Sequence, residues 1–195
     1  MTTTTLDWND LLLDQLARHW DGQLRPRLKG LTDEEYLWEP VPGSWSVRPR
    51  GTGSAPMQAG SGDFTIDFAF PEPEPAPVTT IAWRLGHLVV GVLGARNAAH
   101  FDGPPCDYDG WPYAGTADAA LTQLDEAYAR WVDGVRALGE VGLARPCGPA
   151  EGPFADLPLA ALVLHINREV IHHGAEVALL RDLYAHGAFQ KETEV

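Results

Sequence analysis

The segment from about Leu157 to Leu183 sets the strongest limit on how this chain folds. It is long and mostly apolar, as a buried helix is, and its polar side chains include three of the seven histidines and two carboxylates: His165, Glu169, His172, His173 and Glu176. Residues four apart share a helix face, so His165, Glu169 and His173 align along one stripe. Neutral imidazole nitrogens and a carboxylate are suitable ligands for a divalent transition metal. The pattern therefore predicts a helix that carries a metal site.

Three more segments repeat apolar residues at spacings of three and four, the period of an amphipathic helix. The four predicted helices run over about residues 6–28, 80–100, 116–138 and 157–183. Pro26 lies inside the first, so we expect a kink or an early end there. Four amphipathic helices without a repeating strand pattern indicate an all-α fold, a four-helix bundle. The length favours a single domain over residues 1–195.

Side chains that cap helix N-termini predict where these helices begin. The predicted N-caps are Thr79 or Thr80 for the second helix, Thr116 for the third and Asp156 for the fourth. Pro158 then falls in the first turn of the fourth helix, where proline is tolerated. Residues 32–35, Thr-Asp-Glu-Glu, match a capping box and predict one short helical turn.

A long crossover connects the first two helices. Between Pro40 and Pro77 the composition changes to proline, glycine and serine without a helical period. Within it, residues 65–70 alternate polar and apolar residues, and residues 44–47 are their predicted partner in a small β-hairpin. The glycine-rich stretch 51–62 is then a loose loop. Residues 71–77 are predicted to form an extended, polyproline-like connector.

Charge and composition argue against several classes of partner. The chain has 14 Lys and Arg against 27 Asp and Glu, and its net charge of −13 leaves no basic patch for a nucleic acid or an anionic membrane. Its start lacks the features of a signal peptide, and its longest apolar run, residues 85–95, is far too short to span a membrane. We therefore expect a soluble, cytoplasmic protein without nucleic-acid or membrane partners.

The two cysteines, Cys106 and Cys147, are too few for a disulfide scaffold or an all-thiolate zinc site. Both lie in predicted loops beside prolines and have no histidine or lysine close in sequence, so neither is expected to act as a nucleophile.

A metal site in a bundle needs ligands from facing helices, and the second helix offers His87. Gly86, Gly91 and Gly94 would let another helix approach it closely. A lone histidine on an apolar face is more often a hydrogen-bonded core residue than a ligand. A Glu-x-x-x-His pair on another helix favours the ligand, because the i, i+4 spacing lets two side chains converge on one ion. Such a pair also serves ordinary helix-surface electrostatics.

Three patches of the sequence resemble the DinB-like superfamily, which includes mycothiol-dependent maleylpyruvate isomerases and bacillithiol transferases. They are residues 31–47, the segment that begins His87-Leu88-Val89, and residues 165–183. The resemblance implies a four-helix bundle with a divalent metal ion, zinc or nickel. It also implies one histidine ligand on the second helix and two ligands four residues apart on the last. Matched residue by residue, the implied ligands are His87, Glu169 and His173.

The sequence departs from the family pattern on the last helix. Many relatives carry His-x-x-x-His before a glycine, a register that would place ligands at Arg168 and His172. Arginine cannot serve as the ligand, so the register of Glu169 and His173 is preferred, but the doublet of histidines leaves the choice between His172 and His173 open. His165 and Glu176 are candidates to orient the ligands or to bind substrate. The alternative is that they are polar residues at the solvated end of the bundle.

The resemblance implies thiol-dependent transfer or isomerisation, in which the metal binds a low-molecular-weight thiol, such as mycothiol, and favours its thiolate. Three protein ligands leave coordination positions on the metal ion open for a thiol or water. One alternative is a non-catalytic bundle that binds a metal or small ligand. Another is a metal-assisted hydrolase with Glu176 or His165 as base. The expected partners are a small-molecule substrate and a second copy of the chain in a homodimer.

Other polar residues of the helices have simpler interpretations. Three arginines could recognise carboxylates, although solvated salt bridges are the simpler role: Arg84, Arg168 and Arg181. Three histidines lie near predicted helix ends and are expected to be solvated: His19, His100 and His186.

Overall fold

The structure is a computed structural model that describes residues 6–53 and 55–187. Helix α1 begins as Trp8–His19, widens into a π-helical turn over Trp20–Leu24 and ends with Arg25–Arg27. The short helix α2 is Asp33–Tyr36. Helix α3 comprises Ile81–His87, a π-helical segment Leu88–Gly94 and Ala95–His100. Helices α4 and α5 span Ala117–Leu143 and Leu159–Ala185, and a 3-10 segment, Pro149–Phe154, lies between them.

The four long helices α1, α3, α4 and α5 form a bundle, which confirms the predicted all-α fold. Helices α1 and α3 each pack against both α4 and α5. Their apolar faces meet in one core that includes Leu16, Leu88, Trp131 and Ile166, each about 1% exposed or less. Burying a large apolar side chain contributes about 1.5–3 kcal/mol, so this core holds α3 and α5 side by side. None of the described helices is long and apolar enough to cross a membrane.

Pro26 distorts α1 as expected, but by a wider turn rather than a break. Proline has no N–H to donate, and its ring clashes with the carbonyl four residues earlier, at Gly22. The π-helical turn Trp20–Leu24 lies just before the proline and carries α1 on through Arg27. Helix α4 is kinked at the predicted end of the third helix, where Gly139 leaves the helical conformation with φ 56° and ψ −177°.

Three threonines cap helices as predicted. The side chains of Thr32, Thr80 and Thr116 accept hydrogen bonds from the third residue of α2, α3 and α4. The prediction of Asp156 as the cap of α5 is wrong, because Pro158 occupies the N-cap position with an extended ψ of 148°. The first helical N–H, at Leu159, instead donates to the carbonyl of Arg145 at 2.8 Å. A backbone carbonyl therefore replaces the side-chain cap.

The crossover forms a three-stranded antiparallel sheet rather than a hairpin. The strands are β1 Val47–Pro49, β2 Met57–Ala59 and β3 Phe64–Phe68, in the order β1-β3-β2. The predicted pairing of residues 44–47 with residues 65–70 is confirmed by Val47 opposite Ile66. The prediction of a loose loop over residues 51–62 is wrong where β2 runs, because Ala59 also pairs with Ile66. A three-residue strand beside glycines is too short to show a period.

The sheet is fastened to the start of α3. Trp83 donates its indole N–H to the carbonyl of Asp67 at 2.9 Å, and Thr80 donates its hydroxyl to Ser46 Oγ at 2.9 Å. The buried Asp67 carboxylate accepts from Arg48 Nε at 3.0 Å. These bonds hold β3 and the following residues beside the helix that carries His87.

Candidate metal centre

The three implied ligands lie between α3 and α5. His87, the last residue before the π-helical segment of α3, meets the buried His173 of α5 edge to face, with ring centroids 4.8 Å apart and planes at 88°. Glu169 is one turn earlier on α5, and its Oε2 is 3.6 Å from His173 Nε2. The structure therefore places His173 against both Glu169 on its own helix and His87 on the facing helix. Their assignment as ligands stays a prediction.

Glu176 orients His173. The carboxylate Oε2 of Glu176 is 2.6 Å from His173 Nδ1 and 3.1 Å from Arg84 Nε. An ionised carboxylate can only accept, so His173 donates from Nδ1, and the neutral ring then has its lone pair on Nε2, the nitrogen that faces Glu169. A carboxylate on the far nitrogen of a histidine is the usual outer partner of a metal ligand. Glu176 thus has the orienting contact expected of it.

Tyr108 holds His87 in a similar way. Its hydroxyl oxygen is 2.7 Å from His87 Nδ1. If Nδ1–H is the donor in this bond, the lone pair of the neutral ring is on Nε2. A Cβ at Gly91 would lie 2.1 Å from that hydroxyl oxygen, so only glycine lets the tyrosine reach the histidine. No sequence pattern singles out Tyr108, since it lies in a loop without a period. Phe68, at the end of β3, stacks on the tyrosine ring with centroids 6.5 Å apart.

The glycines of α3 make room for the sheet and the loop, not for another helix as predicted. A Cβ at Gly86 would lie 3.1 Å from Ile66 Cδ1, and one at Gly94 would lie 2.4 Å from Cys106 Sγ. Both neighbours come from outside the bundle helices. The glycines therefore let the sheet and the loop pack directly against α3, where they form the outer wall of the site.

The protonation state of His87 suits a ligand. Its pKa is lowered to about 4, mainly by burial and also by the nearby His173 and Arg84, while Glu169 and Glu176 act in the opposite direction. Metal binding requires the neutral imidazole, and a ring with this pKa is neutral near pH 7. No proton has to leave before the ring can bind an ion.

His172 offers a second set of donors. The ligand atoms of His172, His173 and Glu176 all lie within 4.8 Å of one another, and this is the one group of three such donors found among the described residues. It shares His173 with the predicted ligands. The side chain of His172 is 63% exposed, and its Nε2 is 3.6 Å from Glu176 Oε1. Because Glu176 already binds His173 Nδ1 and Arg84, we favour the set that contains Glu169.

His165 and Arg168 lie at the solvent side of Glu169. Arg168 donates to His165 Nδ1 at 2.6 Å and lies 3.4 Å from Glu169 Oε1. Arg168 therefore has the solvated ion-pair role expected of it, and His165 lies beside a predicted ligand.

Four other polar residues were predicted to be solvated, and the structure agrees for only one of them, His186. Arg181 was expected in a solvated salt bridge, but its partner Glu35 is buried. His100 was expected to be solvated, yet its Nε2 lies 2.9 Å from Glu151 Oε1, and both side chains are less than a tenth exposed. His19 is half-buried and His186 is exposed. Helix ends in this bundle are covered by the connecting segments, which the helical period does not reveal.

A cavity of about 390 Å³ opens beside the cluster. Helix α3 lines it with His87, Gly91 and Arg96, and α5 lines it with His165 and Glu169. Cys106 also borders it, but burial and the nearby Asp107 raise the pKa of its thiol to about 11. The thiol stays protonated near pH 7, in line with the prediction that Cys106 is no nucleophile. The volume is in the range of small-molecule sites.

Replacing Glu176 with glutamine is expected to weaken metal binding by about 10–100-fold, the usual effect of losing an outer carboxylate partner. The amide no longer favours the tautomer with the lone pair on Nε2 of His173. Competition with a chromophoric chelator measures the affinity. Asp133→Asn, an exposed position on α4, is the matched control. An unchanged affinity for Glu176→Gln would show that Glu176 has no part in the site.

Together, these features define a helical bundle with a histidine and carboxylate cluster between two of its helices. Residues 66–177, more than half of the chain, match the family model of the DinB superfamily, and the chain belongs to this superfamily. The matched range contains His87, Glu169 and His173, while the patch at residues 31–47 lies outside it. No match was found among curated proteins or among solved structures.

Proposed function

We propose that this protein is a metal-dependent enzyme that uses a low-molecular-weight thiol for transfer or isomerisation. The observation that carries the proposal is the pairing of His87 and His173. Each ring has its Nδ1 held by a neighbour, and His87 and Glu169 line a cavity of about 390 Å³. This is how a site that keeps coordination positions open for a substrate is built.

The donors fit a divalent ion such as zinc or nickel, since two imidazoles and one carboxylate suit both. His87, Glu169 and His173 would hold it. The bound ion would stabilise the thiolate form of a small thiol at neutral pH. Burial keeps His87 neutral for this role, and Glu176 and Tyr108 keep the two rings oriented.

The contacts around the cluster favour thiol chemistry over metal-assisted hydrolysis. A hydrolase would use Glu176 or His165 as its base. Glu176 is engaged by His173 and Arg84, and His165 Nδ1 accepts a hydrogen bond from Arg168. His165 thus has no free lone pair on Nδ1, and the Glu176 carboxylate is held against His173 and Arg84 instead of lining the cavity.

A thiol-consumption assay tests the proposal. The zinc- or nickel-loaded protein is incubated with monochlorobimane and, in turn, with mycothiol, bacillithiol, glutathione and cysteine. The thiol sulfur displaces chloride and the thiol proton passes to buffer. A free thiol of pKa about 8.5 is only about 3% ionised at pH 7, so one thiol should react on the order of tenfold faster with the loaded protein. The chelator-stripped protein and His173→Ala should give only the background rate.

The two remaining outcomes separate enzyme from binding protein. Metal binding without faster consumption of any of the four thiols would contradict the proposed activity and favour a non-catalytic metal-binding bundle. Equal acceleration by stripped and loaded protein would contradict a role for the metal.

A further inference from the structure

Arg96 shares a cavity with His87 because α3 contains a π-helical segment. The two residues are nine positions apart, and an α-helix turns about 100° per residue, so a continuous α-helix would place them on opposite faces. The wider π-helical turns of Leu88–Gly94 advance less per residue and rotate Arg96 back toward the face of His87. Both side chains consequently line the cavity of about 390 Å³.

The guanidinium of Arg96 has unused hydrogen-bonding capacity. Its Nη1 donates to the carbonyl of Gly91 at 2.6 Å, and its Nη2 is 3.5 Å from Glu151 Oε2. The buried Nε has no partner in the described part of the chain. The other Glu151 oxygen lies closer to His100, at 2.9 Å. A guanidinium with several donors and one close acceptor at a cavity wall is suited to bind an anionic group.

A second cavity, of about 290 Å³, lies next to the first, and Arg96 and His165 line both. Arg168 also borders the second cavity. Its remaining wall contains the carboxylate of Glu151, the thiol of Cys147 and otherwise apolar side chains: Phe154, Leu157, Ala161 and Leu162. The two cavities therefore adjoin at Arg96 and His165, and together they are called the cleft: one part borders His87 and the other has the apolar wall.

We propose that this cleft binds an organic carboxylate with an apolar tail. The carboxylate pairs with Arg96, as guanidinium groups pair with carboxylates, and the tail lies against the apolar wall around Ala161 and Leu162. A phosphate dianion would bring a second negative charge near Glu151 and Glu169, so a monoanion is favoured. The role of this carboxylate as the acceptor substrate rests on the proposed thiol-dependent function, whereas its binding does not.

Calorimetric titration of metal-free protein with 3-phenylpropanoate tests the proposal, since no bound ion can then hold the carboxylate. The wild-type protein should bind the acid at least about tenfold more tightly than the neutral 3-phenylpropanamide, because the amide lacks the charge-assisted pair. Arg96→Gln should weaken binding of the acid by a similar factor, and Arg96→Lys by less. Arg136→Gln, an exposed arginine on α4, is the matched control and should leave the affinity unchanged.

Ala161→Phe tests the tail, because it fills the apolar cavity and should weaken binding of the acid without altering the charge. The proposal is overturned if the wild type does not bind the acid, if the acid and amide bind equally, or if Arg96→Gln binds like the wild type. Unchanged binding by Ala161→Phe would overturn the placement of the tail. Failure of the thiol assay would leave this titration unaffected, and failure of the titration would leave metal binding unaffected.

Discussion

Replacing His173 with alanine is expected to abolish tight binding of divalent metal. His173 belongs to both candidate donor sets, and its Nε2 lies 3.6 Å from Glu169 Oε2. Loss of a direct ligand should weaken metal binding by more than the factor of about 10–100 that follows loss of an outer partner. Equilibrium dialysis with Zn²⁺ or Ni²⁺, followed by metal analysis, measures the change. Circular dichroism checks that the bundle is retained.

His87→Ala and His172→Ala then decide between the two donor sets. If α3 contributes a ligand, His87→Ala should lose metal as severely as His173→Ala. His172 is the matched control, because it adjoins His173 on α5 but its side chain is 63% exposed. Retention of metal by His87→Ala together with loss by His172→Ala would contradict the two-helix centre and assign the site to α5 alone.

Arg181→Ala is expected to destabilise the fold by about 3–5 kcal/mol, the usual effect of leaving a buried charge unpaired. Arg181 donates to both carboxylate oxygens of Glu35, at 2.6 and 3.0 Å, and Glu35 is 5% exposed. The same guanidinium donates to the carbonyls of Arg27 and Lys29. It thus ties the C-terminal part of α5 to the end of α1 and to α2. Urea unfolding followed by circular dichroism measures the free energy of unfolding.

Glu35→Gln separates the unpaired charge from the lost packing. Combined with Arg181→Ala, it removes the charge, so the double variant should recover part of the lost stability. A loss below about 1 kcal/mol for Arg181→Ala would be typical of an exposed ion pair and would contradict this account.

Local sequence patterns predicted much of the fold, because each long helix has its own apolar period and most have a recognisable N-cap. The apolar period gave the four long helices, and Thr32, Thr80 and Thr116 gave three of the N-caps. Of the capping box predicted at residues 32–35, the structure shows the threonine cap but not the reciprocal glutamate contact. Thr32 caps α2, but Glu35 binds Arg181, far away in the sequence, instead of closing the box. Long-range partners of this kind leave no local pattern.

The candidate site divides in the same way. The pair of Glu169 and His173 is visible in the sequence as an i, i+4 spacing. The prediction of His87 as a ligand depended on the need for a facing helix and on the family resemblance. Tyr108 and Arg96 were missed. Tyr108 reaches His87 only because the loop folds over Gly91, and Arg96 shares the cavity of His87 only through the π-helical segment. Neither a loop path nor the width of a helical turn follows from a hydrophobic period.

The central claim is a metal centre shared by α3 and α5, and anomalous diffraction at the metal edge tests it most directly. Crystals of zinc- or nickel-loaded protein are predicted to show one strong peak within bonding distance of His87, Glu169 and His173. A peak bound to His172 and Glu176 without His87, or no peak in protein exposed to excess metal, would contradict the account.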